Sequence, residues 1–196
     1  MTDHEHEHED EHAHDVDWRA ELEAARHAAG HYYEHQFDWR GHAPPADFAG
    51  PRFFPPAAEW RREARLDTSA PGTGDHVILP TSTGKLRDMT IAGQLVFDVG
   101  GEEQRLTLFI GHGRDGSEYG FLPFRDATSG HETYGSGRYL DLPYDPDASG
   151  YVLDFNWAYN PSCAFSPAYD CPYPPPGNRL GVRVEAGEMV PFEHAA

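Results

Sequence analysis

The chain of 196 residues carries 33 acidic side chains against 15 basic ones, a formal net charge of −18, and 38% of its residues are hydrophobic in type. This length supports one well-buried core, and 20 glycines with 17 prolines make it loop-rich. The charge argues against nucleic acid or anionic lipid as a partner, no apolar run approaches the roughly 18 residues of a membrane span, and two cysteines do not make a disulfide scaffold.

In chain order, residues 1–15 are a low-complexity segment in which His4, His6, His8, His12 and His14 alternate with acids. Such a segment has no apolar surface to bury and is expected to be a disordered tail. Its alternating imidazoles and carboxylates have the composition of a weak Zn, Ni or Cu chelator. The start of the sequence shows no basic and apolar leader pattern, so a soluble, cytoplasmic protein is expected.

Residues 16–40 favour helix, with Trp18, Leu22, Ala25, Ala29, Tyr32 and Tyr33 recurring at helical spacing; Gly30 predicts a kink or a helical hairpin. His27, His31 and His35 form a row at four-residue intervals, read either as a solvated face or as a two-imidazole metal ledge. Residues 41–74, with Pro44, Pro45, Pro51, Pro55 and Pro56, predict an extended segment that wraps the core, anchored by Phe48, Phe53, Phe54 and Trp60.

From residue 75 onward the pattern changes to short β-type runs: His76–Leu79, Leu86–Ile91, Gln94–Val99, Gln104–Ile110, Tyr119–Phe124, Arg138–Leu142, Tyr151–Phe155 and Val182–Glu185. Gly100-Gly101 between two alternating runs signals a hairpin. The expected architecture is mainly β, an antiparallel β-sandwich or barrel, with the N-terminal helix or helical hairpin packed against it and residues 16–196 forming a single domain.

Two polar clusters interrupt the β region. The first contains Arg125, Asp126, Thr128, Ser129, Glu132, Thr133, Tyr134, Arg138 and Tyr139. It reads either as an anion-recognising loop, with two guanidinium forks and hydroxyl donors beside permissive glycines, or as a self-satisfied connection. The second contains Asp154, Asn156, Tyr159 and Asn160, where Asp154 either acts as a base at a strand end or caps the turn with Asn156. Cys163 and Cys171, separated by seven intervening residues in a proline-rich loop, leave structural thiols, a disulfide, a metal or redox role, and a nucleophile open.

The words FAGPRFFP, TSTGKLRDM, FRDATSGHETYGSGRYLDLP, VLDFNWAYNPSCAFSPAYDC and PYPPPGNRLGVRVEAGE resemble the family known as domain of unknown function 1684, over roughly Trp18 to Glu188. The resemblance implies no reaction. The residues themselves point to a pocket that binds a small anionic molecule, using Arg125, Thr128, Ser129, Tyr134, Arg138, Tyr139, Asn156 and Tyr159, with Trp157 at its mouth. In the alternative it is an enzyme of hydrolase or lyase type with Asp154 or Glu132 as base; in a further alternative the loops are a plug without a ligand.

Lys85 is the sole lysine, so Arg carries nearly all the positive charge in a chain dominated by Asp and Glu. This is the surface chemistry of a halophile-type member, in which repulsion is relieved by a Debye length of about 3 Å at 1 M salt. The melting temperature should therefore climb steadily as KCl is raised from about 0.1 to 2 M. A melting temperature that ignores KCl over that range would contradict the expectation.

Overall fold

The structure is a computed structural model that describes the backbone of residues 4–46, 48–148 and 150–192, with side chains from residue 18 onward. It divides into two compact units, one comprising residues up to 38 with 49–51, the other residues 39–48 with 52 onward.

The first unit is built on helix α1, His4–His35. It is one continuous helix that passes through Gly30, where a kink or hairpin was expected, and it begins inside the segment read from composition as a tail. The five tail histidines have side chains outside the described residues. The helix ends as Gln36 N and Phe37 N both donate to Tyr32 O, and the Phe37 ring folds back to 5.0 Å from that of Tyr33. Trp18, Leu22 and Phe37 are buried, whereas His27, His31 and His35 are exposed. Among the described residues no helix is long and apolar enough to cross a membrane.

The second unit is a seven-stranded antiparallel sheet: β1 Arg61–Asp67, β2 His76–Pro80, β3 Leu86–Val99, β4 Glu102–His112, β5 Glu118–Phe124, β6 Arg138–Pro143 and β7 Tyr151–Asp154. The order is β6-β5-β4-β3-β1-β7, with β2 paired to the first half of β3. Tyr139 in β6 also exchanges backbone bonds with Tyr159, just beyond β7, so the two edges nearly meet and the sheet is barrel-like. Closure of this kind removes most of the unpaired edge that an open sheet exposes.

Three differences from the sequence expectation have local causes. The runs at 86–91 and 94–99 are one strand, β3, bent by a register shift between Ile91 and Gly93. Gly93 takes φ +149°, and a Cβ there would lie 2.8 Å from Asp67 O, so the bend needs glycine. β1 falls in the segment expected to wrap the core; its charged RREARLD sequence buries Ala64 but little else, which hid its period. Val182–Glu185 forms no strand, because Val182 O accepts from Ala127 N and Val184 O from the Arg138 guanidinium rather than from a strand partner. The Gly100-Gly101 hairpin is present, with φ +65° and +85°, the positive pair required by a two-residue I′ turn.

Strand alternation gives the sheet two working faces. Leu106 and Leu108 of β4, Leu122 and Phe124 of β5, and Leu140 and Leu142 of β6 enter the main core with Phe155. The Phe155 ring stands 5.2 Å from Phe124, 5.8 Å from Phe97 and 5.9 Å from Trp60. The intervening residues Phe109, Phe121 and Tyr139 form a second apolar cluster on the opposite face with Leu79 and Cys171.

One side chain completes the ladder where the backbone cannot. The β4–β5 pairing runs from His112↔Glu118 to Phe109↔Phe121, and the next pair on that side would be Thr107 with Pro123. Proline has no N–H to donate. The fully buried Asn178 fills the gap: its Oδ1 accepts from Thr107 N at 2.8 Å, and its Nδ2 donates to Thr107 O and Pro123 O, each at 2.8 Å.

Candidate functional site

The first polar cluster folds inward. In RYLDLP, Arg138 shares its phase with Leu140 and Leu142, and it is 1% exposed. Its guanidinium donates to the Asp126 carboxylate at 2.9 Å, to Val184 O at 2.9 Å, to Glu188 O at 3.1 Å and to Ala186 O, and it lies over the Phe124 ring. Nε has no partner among the described residues. Burial pushes the Arg138 pKa down, and the Asp126 carboxylate pulls it back.

Asp126 is 0% exposed and is shared further: Thr128 N and Oγ1 donate to its Oδ1 at 2.6 and 2.5 Å. Thr128 is also 2.8 Å from the Thr133 hydroxyl, while Ser129 Oγ accepts from Asp126 N at 3.1 Å. Arg125 is half-buried, with Nε donating to Ser136 O at 3.3 Å. Arg138, Thr128 and Asp126 thus spend most of their polar groups on one another and on nearby carbonyls. In this conformation the Arg138 fork faces the protein interior.

The second cluster serves the backbone. Asp154 caps the 3-10 turn Phe155–Trp157, with its Oδ1 accepting from Asn156 N at 3.0 Å and from Asn156 Nδ2 at 2.8 Å. Its Oδ2 lies 3.2 Å from Arg61 Nε. Asn156 makes a reciprocal pair with Ala57, accepting from its N at 2.9 Å and donating to its O at 2.8 Å. Asn160 donates from its backbone to the buried Glu188 carboxylate and from Nδ2 to Met189 O. Glu132 pairs with Arg183 at 2.7 Å, and that bond holds its carboxyl below the usual range, making it a weaker proton acceptor. Neither of the two described cavities is lined by Arg125, Arg138 or Asp154.

Tyr139 and Tyr159 face a different place. Residues 159–172 lie against the second apolar cluster and enclose a cleft of about 570 Å³ on the outer face of the sheet. Its walls include Tyr119, Phe121, Tyr139, Tyr159 and Tyr169, with His76, Arg87, Asp88, His112 and Asp170 among its polar groups. Tyr139 donates to Pro172 O at 2.6 Å and meets Phe121 edge-on at 4.7 Å; Tyr159 donates to Asp141 at 2.9 Å. Burial pushes both phenols well above their ordinary pKa, so they remain O–H donors. Tyr134 and Trp157 are not part of this lining; the Tyr134 hydroxyl instead lies 4.0 Å from Cys163 Sγ.

The polar corner of the cleft joins two distant words, TSTGKLRDM and AYDC. Asp170 accepts from the hydroxyls of Thr81 and Thr83, each at 2.5 Å, and from Arg87 at 3.3 Å. The two hydroxyls, with Arg87, lower the Asp170 pKa to about 2. Both words were visible, but nothing in either one pointed to the other. Among the described residues no group of three or more His, Cys, Asp or Glu is arranged to hold a metal ion. Cys163 and Cys171 are free thiols, with Cys163 N donating to Cys171 Sγ at 3.3 Å.

The sequence matches the model of a family described as protein of unknown function, DUF1684, over residues 46–189. Comparison with curated proteins finds no match. Among solved structures the chain is similar to an uncharacterized protein of Haloarcula marismortui determined by solution NMR. The two share 34% identity with a TM-score of 0.68, over 93% of this chain and 99% of that one.

Proposed function

This chain belongs to the DUF1684 family of proteins of unknown function, and on that premise we propose that it is a small-molecule-binding module whose site is the aromatic cleft on the outer face of the sheet. One observation carries the reading: a cleft of about 570 Å³ is lined by tyrosine and phenylalanine side chains together with His76, Arg87, Asp88, His112 and Asp170, in comparable polar and apolar share. The volume lies within the range of about 300–1,000 Å³ typical of small-molecule sites, and aromatic walls with placed polar groups are what such sites use for affinity and orientation.

The ligand class follows from the walls and the rim. Aromatic faces suit a planar or ring-shaped body. Arg87, with a side chain 47% exposed, is the cation best placed to take a carboxylate or phosphate, because its bond to Asp170 is long and open to exchange. The anionic group expected from the sequence is therefore reassigned from Arg125 and Arg138 to Arg87. Neither Asp154 nor Glu132 lines the cleft, so the same geometry lends no support to a carboxylate-base reaction there.

Native mass spectrometry of protein purified in high salt, followed by a thermal-shift screen of aromatic acids and nucleotides, tests the reading. A retained or stabilising anionic molecule is expected. Arg87→Ala should weaken it about tenfold or more, as loss of a charge-assisted bond does, with little change in the melting temperature of the unliganded protein. An affinity that ignores both Arg87→Ala and Tyr159→Ala would move the site elsewhere, and a screen with no stabilising molecule would count against binding altogether.

A further inference from the structure

Two thiols that are eight positions apart in sequence lie together beside the cleft. Residues 162–164 form a 3-10 turn, and the chain returns at Cys171, so that Cys163 N donates to Cys171 Sγ at 3.3 Å. The returning segment is pinned to the β2–β3 turn: Cys171 N donates to Ser82 Oγ at 3.1 Å, Ser82 N to Cys171 O at 2.9 Å, and Ser82 Oγ to Tyr169 O at 2.9 Å. Cys163 is partly exposed, whereas Cys171 is 8% exposed and lines the cleft. The Tyr134 hydroxyl, 4.0 Å from Cys163 Sγ, completes the surroundings.

We propose that Cys163 and Cys171 are a peroxide-reactive dithiol, in which the more exposed Cys163 is the attacking sulfur and the buried Cys171 resolves it into an intramolecular disulfide. The reaction needs only hydrogen peroxide as oxidant. The Cys163 thiolate attacks one peroxide oxygen; an S–O bond forms, the O–O bond breaks, and the departing hydroxide takes up the proton that Cys163 released. Cys163 is then a sulfenic acid. Cys171 gives up its proton and attacks the Cys163 sulfur; the S–S bond forms, the S–O bond breaks, and the hydroxide leaves as a second water. Two thiols and one peroxide yield one disulfide and two waters.

The electrostatics divide the labour in the same direction. The Cys171 thiol, with the Tyr134 hydroxyl, stabilises a negative Cys163 sulfur and lowers its pKa to about 7, while Cys171, the donor to that sulfur and itself buried, is pushed up. Burial raises Tyr134 to about 12, so its hydroxyl keeps the proton it offers. The lowered pKa raises the thiolate fraction of Cys163 above that of an ordinary cysteine near neutral pH, and the weaker nucleophilicity of a more acidic sulfur takes back part of that gain.

The reduced full-length chain, freed of reductant, is treated with one equivalent of hydrogen peroxide at pH 7, alkylated with iodoacetamide and mapped by mass. The expected product is a monomer two hydrogens lighter, with no alkylated cysteine and a linked 163–171 peptide. In Cys171→Ser, Cys163 should stop at a sulfenic acid that dimedone captures, and its alkylation midpoint should move above about 7. In Cys163→Ser, Cys171 should remain alkylatable. A readout without substitution is the partition of sub-stoichiometric iodoacetamide in the reduced wild type, which should favour Cys163. Intermolecular dimers in place of the linked peptide, capture of Cys171 by dimedone, or equal labelling of both sulfurs would overturn the assignment. None of these readouts depends on whether the cleft binds a ligand.

Discussion

Replacing Arg138 by leucine should cost about 3–5 kcal/mol, because it strands the Asp126 carboxylate in the interior without its countercharge. For a chain of this size that is a melting temperature lower by roughly 6–20 °C. The side chain is 1% exposed and Asp126 is 0% exposed, so water cannot replace the lost partner without opening the structure. Three backbone carbonyls, of Val184, Ala186 and Glu188, lose donors at the same time, and with them the tie between β6 and the C-terminal segment. The double variant Arg138→Leu with Asp126→Asn should lose less than the sum of the single losses, since no unpaired charge remains. Denaturant unfolding of the three variants measures this cycle. If Arg138→Leu kept wild-type stability while ligand binding in the cleft disappeared, the arginine would belong to a binding site rather than to this network.

The second large effect is expected at Asn178. Alanine there leaves Thr107 N–H, Thr107 C=O and Pro123 C=O without the partners that the amide supplies. Each stranded buried group costs about 1–3 kcal/mol, and partial relaxation brings the expected total to about 3–4 kcal/mol. Aspartate should be worse than alanine, because it keeps the acceptor but lacks both donors and brings a charge into a fully buried position. Urea unfolding gives the magnitude, and hydrogen exchange at the Thr107 amide shows where it acts, since that proton should exchange much faster in Asn178→Ala. A loss under about 1 kcal/mol would mean that the β4–β5 ladder tolerates open positions at Thr107 and Pro123 without the asparagine.

How much of the candidate site was legible depended on distance along the chain. Tyr139 and Tyr159 both line the cleft, Tyr139 from a β-type run whose alternation sets its face and Tyr159 only through its isolated bridge to Tyr139, which no local pattern announces. Arg87 and Asp170 were not read as a pair: Thr81, Thr83 and Arg87 meet Asp170 only through the pairing of the 170–173 segment with the β2–β3 turn. Arg138 carried a usable signal that went unread. Its two-residue phase with Leu140 and Leu142 places it on the core face, and that periodicity outweighs the habit of assigning arginine to the surface.

By itself the sequence determined the family, the mainly β character, the Gly100-Gly101 hairpin and the acidic surface, since each depends on local words, period-two patterning or composition. The tertiary structure alone decided which polar residues are spent on holding the chain and which face the cleft. Burial and partnership are properties of pairs: Asp126 reaches across 12 residues to Arg138, Asn178 across 71 to Thr107, and Thr81 across 89 to Asp170. A polar side chain has the same identity whether it meets a ligand or a carbonyl. Only the fold, by bringing one of them within hydrogen-bonding reach and excluding water, makes the difference.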